Sequence, residues 1–294
     1  DSPAQVAAIN DQLQHALTGA SVRTEAFVTI VIPEARLAKA AKEAGRGIEA
    51  RAHILYAVIS EIEAGLKGAL GCTTVTWLTS PQLAAATRTG FAPGDRAGII
   101  DALTANGHDP TVNAEVPWAL AGPSGADPAA RHYSHDAWNS ISSTLKLPTR
   151  GAVLGALAPV LTPTGAGERR SVLVAYPIFS AHQAARTSAS SEWSADMGAA
   201  LREKARMKTS TKTRDETSQV RALEAKLSRG HALTRPYAVA TVTAPKTARI
   251  SDYGRRLDAS IRAAGYAPLR LDLAQDRGFA ASAIPLGISL TRKG

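Results

Sequence analysis

YAVATVTAPKTARISDYGRRLDASIRAAGYAPLRLDL, residues 237–273, holds the three elements from which the fold is read. Tyr237-Ala238-Val239-Ala240-Thr241-Val242-Thr243 is a β-branched run of strand length closed by Pro245. From Ile250 to Ala264 the positions Ile250, Leu257 and Ile261 recur at helical spacing, which predicts a helix with one apolar side. Leu269-Arg270-Leu271-Asp272-Leu273 follows as another strand, and a closing helix starts at Asp276. A helix between two strands covers one face of the sheet they build.

Working upstream, the same alternation recurs. Ile141 to Leu147 reads as a strand, Gly151 to Leu161 as a helix and Ser171 to Tyr176 as a strand. A long polar helical stretch, about 181–229, separates that group from Tyr237. The order βαβ then αβαβ predicts an α/β (α+β) fold with a ferredoxin-like sheet over residues 137–294 and a long helical arm. Before it, residues 107–136 are rich in Gly, Pro, Asp and Ala and read as a linker, with Val116–Leu120 as an apolar docking segment. Residues 1–106 form an N-terminal α/β domain. Its elements are a helix at Asn10–Leu17, a β-branched strand Ala26–Ile32 and a helix from Pro33 to Leu70. A strand Thr73–Leu78 comes next, then a helix capped by Ser80 with Pro81 at its first position. At 294 residues the chain is long enough for two domains, and 45% hydrophobic content supports a real core.

The formal charge of +9 is concentrated. Between Arg202 and Arg229 nine Lys/Arg meet four Asp/Glu, so five of the nine net charges lie there. Arg202, Lys204, Arg206, Lys208, Lys212 and Arg214 form the candidate contact with phosphates of nucleic acid or lipid headgroups. No aromatic residues interleave with them to stack bases. Mixed charge signs and the narrow stripe Val220, Leu223, Leu227 also describe a solvated helical arm.

Several chemistries lack their parts. A phosphate-cradling Walker loop needs Gly-Lys, and no such pair occurs. The zinc-protease, nucleophile-elbow and dinucleotide signatures are missing as well. His132-Tyr133-Ser134-His135-Asp136 puts two imidazoles and a carboxylate within five residues, but no third or fourth ligand accompanies them, so it reads as the polar end of the linker. Ser143-Thr144-Leu145-Lys146 has S-x-x-K spacing on a strand, without its companion motifs. The single Cys72 makes no internal bridge, and no run reaches the length of a membrane span. No catalytic residue, metal or cofactor is expected.

The chain from Arg221 onward resembles the carboxyl-terminal region of an actinobacterial family of integral membrane proteins encoded in conjugative elements. Gly230-His231, Val239 to Pro245, Leu269 to Leu271 and Ala283 to Gly287 fill the family's places. Leu78 to Leu83, Arg88-Thr89, Phe91-Ala92-Pro93 and Asp136-Ala137-Trp138 agree more loosely. After Trp138 the family's Trp-Pro is replaced by Leu147-Pro148. Family members resemble a membrane subunit of type IV secretion systems fused to the motor-free amino-terminal domain of the secretion ATPase. The resemblance implies a non-enzymatic structural part of a DNA-transfer apparatus at the cytoplasmic face of the membrane, oligomeric in the assembly and docked to a separate ATPase and channel subunits. It also implies a membrane hairpin upstream of Asp1. The rival expectation is a basic nucleic-acid-binding module acting through the arm.

Overall fold

The computed structural model describes residues 5–9, 12, 24–45, 47–71, 73–146, 155–165, 167–179, 229 and 232–290. The helix expected at Asn10–Leu17, apart from Gln12, and the arm, apart from Arg229, lie outside them. By its contacts the chain groups into Asp1–Leu173 with Val239–Gly294, and Val174–Ala238.

The first unit begins with α1 (Glu34–Glu43) and α2 (Ile48–Leu70). One helix was expected over Pro33–Leu70. It breaks because Gly45 and Gly47 take φ of +125° and +105°, a region side chains avoid, and Pro33 is the N-cap of α1 rather than part of its first turn. Ala26–Ile32 and Thr73–Leu78, expected as strands from their β-branching, form no strand. Helix α3 (Ser80–Phe91) is capped by Thr79, not Ser80: Thr79 and Gln82 form a reciprocal capping box, and the Thr79 amide donates to Gln82 Oε1 at 2.9 Å. Helix α4 (Arg96–His108) and the short α5 (Trp118–Ala121) follow. Trp118 Nε1 donates to Ser80 Oγ at 2.7 Å, which ties this segment to the start of α3, while Trp118 and Leu120 stay exposed.

A six-stranded sheet is built from β1 (Ala126–Pro128), β2 (Tyr133–His135), β3 (Trp138–Lys146), β4 (Arg169–Ala175), β5 (Tyr237–Pro245) and β6 (Ala267–Arg270). Its order is β1-β2-β3-β5-β4, with β6 also on β3. The fold is therefore mixed α+β. β1 and β2 lie inside the stretch 107–136 read as a linker, and the Phe91 carbonyl at the end of α3 meets His135 of β2. Short strands of three residues leave no periodicity in the sequence, yet Tyr133 and His135 are buried. β2 and β3 are joined by the two-residue turn Asp136-Ala137, in which Asp136 has φ +44°.

β2 pairs antiparallel with Trp138–Ser140 and β6 with Ser143–Lys146. On the other edge, Ser140 meets Thr243, Ser142 meets Thr241, and the Lys246 amide donates to the Ala137 carbonyl. Partners that advance along β3 retreat along β5, which makes that pair antiparallel too. Alternate residues of β3 face opposite ways. A Cβ on Gly254 would sit 2.8 Å from Ile141 Cδ1, and one on Gly278 would sit 2.6 Å from Ser142 Cβ. Helix α7 (Ile250–Ala263) thus covers one face and α8 (Gln275–Ala283) the other. A short helix, α6 (Ala158–Leu161), packs beside α7; of the helix expected over Gly151–Leu161, residues 151–154 lie outside the described residues.

At the start of β4, Glu168 and Arg170 form an ion pair with both side chains sealed from solvent. Glu168 Oε2 also accepts from the Thr164 amide and hydroxyl at 2.8 and 2.9 Å, which offsets part of the cost of burying the charge. In the second unit, Ile178 bridges Thr234, and the Phe179 amide donates to the Leu233 carbonyl at 3.0 Å.

Candidate functional site

The cations singled out in the sequence, Arg202, Lys204, Arg206, Lys208, Lys212 and Arg214, all lie outside the described residues. The structure instead brings together a buried group of hydroxyls between the sheet and α8.

Ser140 and Ser142 project from β3, Thr241 and Thr243 from β5, and all four are fully buried. Each donor and acceptor in this layer can be assigned. His135 Nδ1 lies 2.6 Å from the Phe91 carbonyl oxygen, which only accepts, so Nδ1 carries the proton. Nε2 then accepts from the Ser140 hydroxyl at 2.8 Å, and Ser140 Oγ accepts from Thr243 at 2.7 Å. In the neighbouring row, Ser282 donates to the Gly278 carbonyl at 2.8 Å, Thr241 to Ser282 at 2.6 Å, and Ser142 to Thr241 at 2.7 Å. The two rows cross the same pair of strands in opposite senses. Gln275 extends the layer: its Oε1 accepts from the Ser142 amide at 2.6 Å, and its Nε2 donates to the Ser142 carbonyl at 3.3 Å.

An apolar collar closes over this polar layer. Phe279 lies tilted against His135 with ring centroids 4.4 Å apart, and Phe91 and Tyr133 pack on Phe279 at 5.3 and 5.1 Å. Burial pushes the His135 imidazole down to about 4, against a smaller opposing effect of the Phe91 carbonyl, so the ring is neutral at neutral pH. A serine hydroxyl bonded to an imidazole has the parts of a nucleophile and its base. Here both are sealed and the orienting group is a carbonyl, so the pair works as a fastener between β2, β3 and α3.

The same geometry accounts for the other sequence motifs. Both nitrogens of His135 are occupied, and Asp136 is taken by Arg88 Nη1 at 3.0 Å and by the Ser124 amide at 2.6 Å. Among the described residues no group of three potential metal ligands converges. Ser143 is buried and donates to Asp258 Oδ1 at 3.2 Å, whereas Lys146 is exposed; three residues apart on a strand, they face opposite ways. A cleft of about 440 Å³ between α3 and α4, lined by Pro81, Gln82, Leu103, Asn113 and Glu115 among others, holds a single carboxylate.

Two surfaces complete the inventory. None of the α2 side chains for which burial is described is buried; Ile48 is 84% and Tyr56 71% exposed, and Phe27, Val28, Ile30 and Val31 are exposed beside Pro285–Gly287. On α7, Arg255, Arg256 and Arg262 are exposed, with Lys246 and Arg249 just before them. These cations were not singled out in the sequence because they are scattered among apolar residues. The buried hydroxyls did leave a signal, Ser140/Ser142 and Thr241/Thr243 at strand spacing. No protein-family model matches the sequence, and no curated protein matches it.

Proposed function

We propose that the chain is a non-enzymatic structural component of a conjugative, type IV secretion-like DNA-transfer apparatus, docking a separate ATPase and the channel subunits at the cytoplasmic face of the cell membrane. The observation that carries the docking role is the exposed apolar surface of α2 and of Ala26–Ile32. A 23-residue helix without a buried side chain among those described, and a β-branched segment that exposes Phe27, Val28, Ile30 and Val31, offer apolar surface that a lone globular protein ordinarily covers. The identity of the apparatus rests on the sequence resemblance, and so does an anchor upstream of this chain. Among the described residues no helix is long and apolar enough to cross a membrane.

The reading includes a ferredoxin-like arrangement of the C-terminal strands. Its support is the order β6-β3-β5-β4 with α7 between β5 and β6. It also keeps Arg202 to Arg214 as a contact for anionic lipid or DNA, on charge pattern alone.

Co-purification of the full chain with the candidate motor at two salt concentrations tests the proposal, together with calorimetry against ATP and Mg²⁺. Association that survives about 0.5 M salt and is lost in the Ile48→Glu/Tyr56→Glu variant is expected, because apolar contacts are not screened. ATP binding in the micromolar range with turnover, or no recovered motor, would overturn it.

A further inference from the structure

We propose that the outward face of α7, with the turn before it, binds the phosphodiester backbone of nucleic acid. Gly254, Leu257 and Ile261 of α7 are buried, which fixes the side turned to the sheet. The helical repeat then places Arg255 and Arg262, two turns apart, on one flank of the outward face, and Arg249 and Arg256, also two turns apart, on the other. Members of each pair are about 10 Å apart along the axis, at about 1.5 Å per residue. Lys246 is exposed in the preceding turn. Against these five cations the same surface carries one acid, Asp252, which pairs with Arg255 at 2.7 Å. Asp258 is turned inward to Arg270 and Ser143. Among the described residues no ion pair engages Lys246, Arg249 or Arg262.

A solvated helix face usually interleaves both signs. Five cations to one acid, four of the cations guanidinium groups, match a row of phosphates, which arginine grips with two parallel N–H bonds. Arg256 is held over the Tyr253 ring at 5.0 Å, which lowers the entropy lost when it binds. Between the two pairs stand Ala259 and Ala263, small enough to let a backbone approach, and Asp252, already neutralised by Arg255. A membrane surface fits less well. An interfacial helix inserts apolar side chains, and α7 spends its apolar side on the sheet while exposing no large hydrophobic residue. This surface belongs to the folded sheet domain and goes beyond the docking role proposed above.

The test uses fluorescence anisotropy of the full chain with a labelled duplex of about 25 base pairs at several salt concentrations. Lys246→Glu/Arg255→Glu/Arg262→Glu is expected to weaken binding at least about tenfold at low salt and to flatten the log K against log[salt] slope by about 2 to 3, as lost phosphate contacts do. Lys42→Glu/Arg131→Glu/Arg277→Glu changes the net charge equally and should stay within about threefold of the parent. Circular dichroism of each variant checks that it is folded. Four results overturn the proposal: no duplex binding by the parent chain, an equal loss in the control variant, unchanged binding in the α7 variant, or an α7 variant that loses flotation with phosphatidylserine vesicles while keeping the duplex.

Discussion

Gln275 meets Ser142 with both ends of its carboxamide, Oε1 on the amide and Nε2 on the carbonyl. Ser142 lies on the edge of β3 where β2 has ended at Ser140 and β6 begins at Ser143. The Leu271 amide already donates to the Ser142 carbonyl at 3.1 Å, so the side chain takes the place of the carbonyl that the Ser142 amide lacks in this gap of the ladder. Gln275→Leu is expected to destabilise the chain by roughly 2 to 3 kcal/mol, since it strands a buried N–H. Urea denaturation followed by circular dichroism measures this, and a loss below about 0.5 kcal/mol would show that the gap does not need filling.

His135 gives the fold a pH dependence with a definite sign. Its pKa is depressed in the folded state to about 4, while the unfolded imidazole titrates near 6.5. Between those values the unfolded chain binds the extra proton, so stability present above about pH 6.5 is lost as pH falls toward 4. The loss is up to about 3 kcal/mol at about 1.4 kcal/mol per unit. His135→Gln should be less stable at pH 7 but should lose less between pH 7 and pH 4.5. Parallel urea midpoints for the two proteins check this, and equal pH slopes would refute it.

Two glycines in helices should respond in opposite ways. A Cβ on Gly278 would stand 2.6 Å from Ser142 Cβ and 2.6 Å from Leu271 Cδ1, so Gly278→Ala should cost roughly 1 to 3 kcal/mol by forcing α8 off the sheet. Gly98 in α4 has nothing within 4 Å of that position, and Gly98→Ala should stabilise by about 0.5 to 1 kcal/mol. Differential scanning calorimetry distinguishes the signs.

The Glu168–Arg170 pair should be intolerant of losing one partner. In Glu168→Ala the buried guanidinium would be uncompensated, and its Nη2 already lacks a hydrogen-bond partner. A loss of roughly 3 to 5 kcal/mol is expected. The double variant Glu168→Leu/Arg170→Met should recover most of it, and a double variant as unstable as the single would sink the account.

What the sequence conveyed depended on whether a segment's order is local. Tyr237–Thr243 and Ile250–Ala264 carry their own periodicity, and the structure has β5 and α7 there, with β4 and β5 in one sheet as expected. Ala26–Ile32 has the same β-branching, yet no strand forms, because a strand also needs a neighbouring edge. β3 starts at Trp138, three residues before the expected Ile141, since its start is polar and pairs with a strand read as linker. Helix α4 gives a weak signal: Gly98 and Gly107 interrupt it, and it buries no residue. The candidate site was legible only as alternating hydroxyls. Gln275 and Ser142 are 133 positions apart, and no local pattern announces their meeting.

One edge of β3 is shared between a strand immediately before it and another, β6, whose Ala267 pairs with Lys146. On a ribosome adding about 5 to 20 residues per second, β3 therefore waits on the order of ten seconds for its second neighbour. Until then Ile141 lacks Gly254, Ser142 lacks Gln275, and the nascent strand presents open hydrogen-bonding groups to whatever else is in reach. Yield in the cell should thus depend on how that interval is protected, by slow codons that delay β3 or by a chaperone that holds it, more than on the final stability of the sheet.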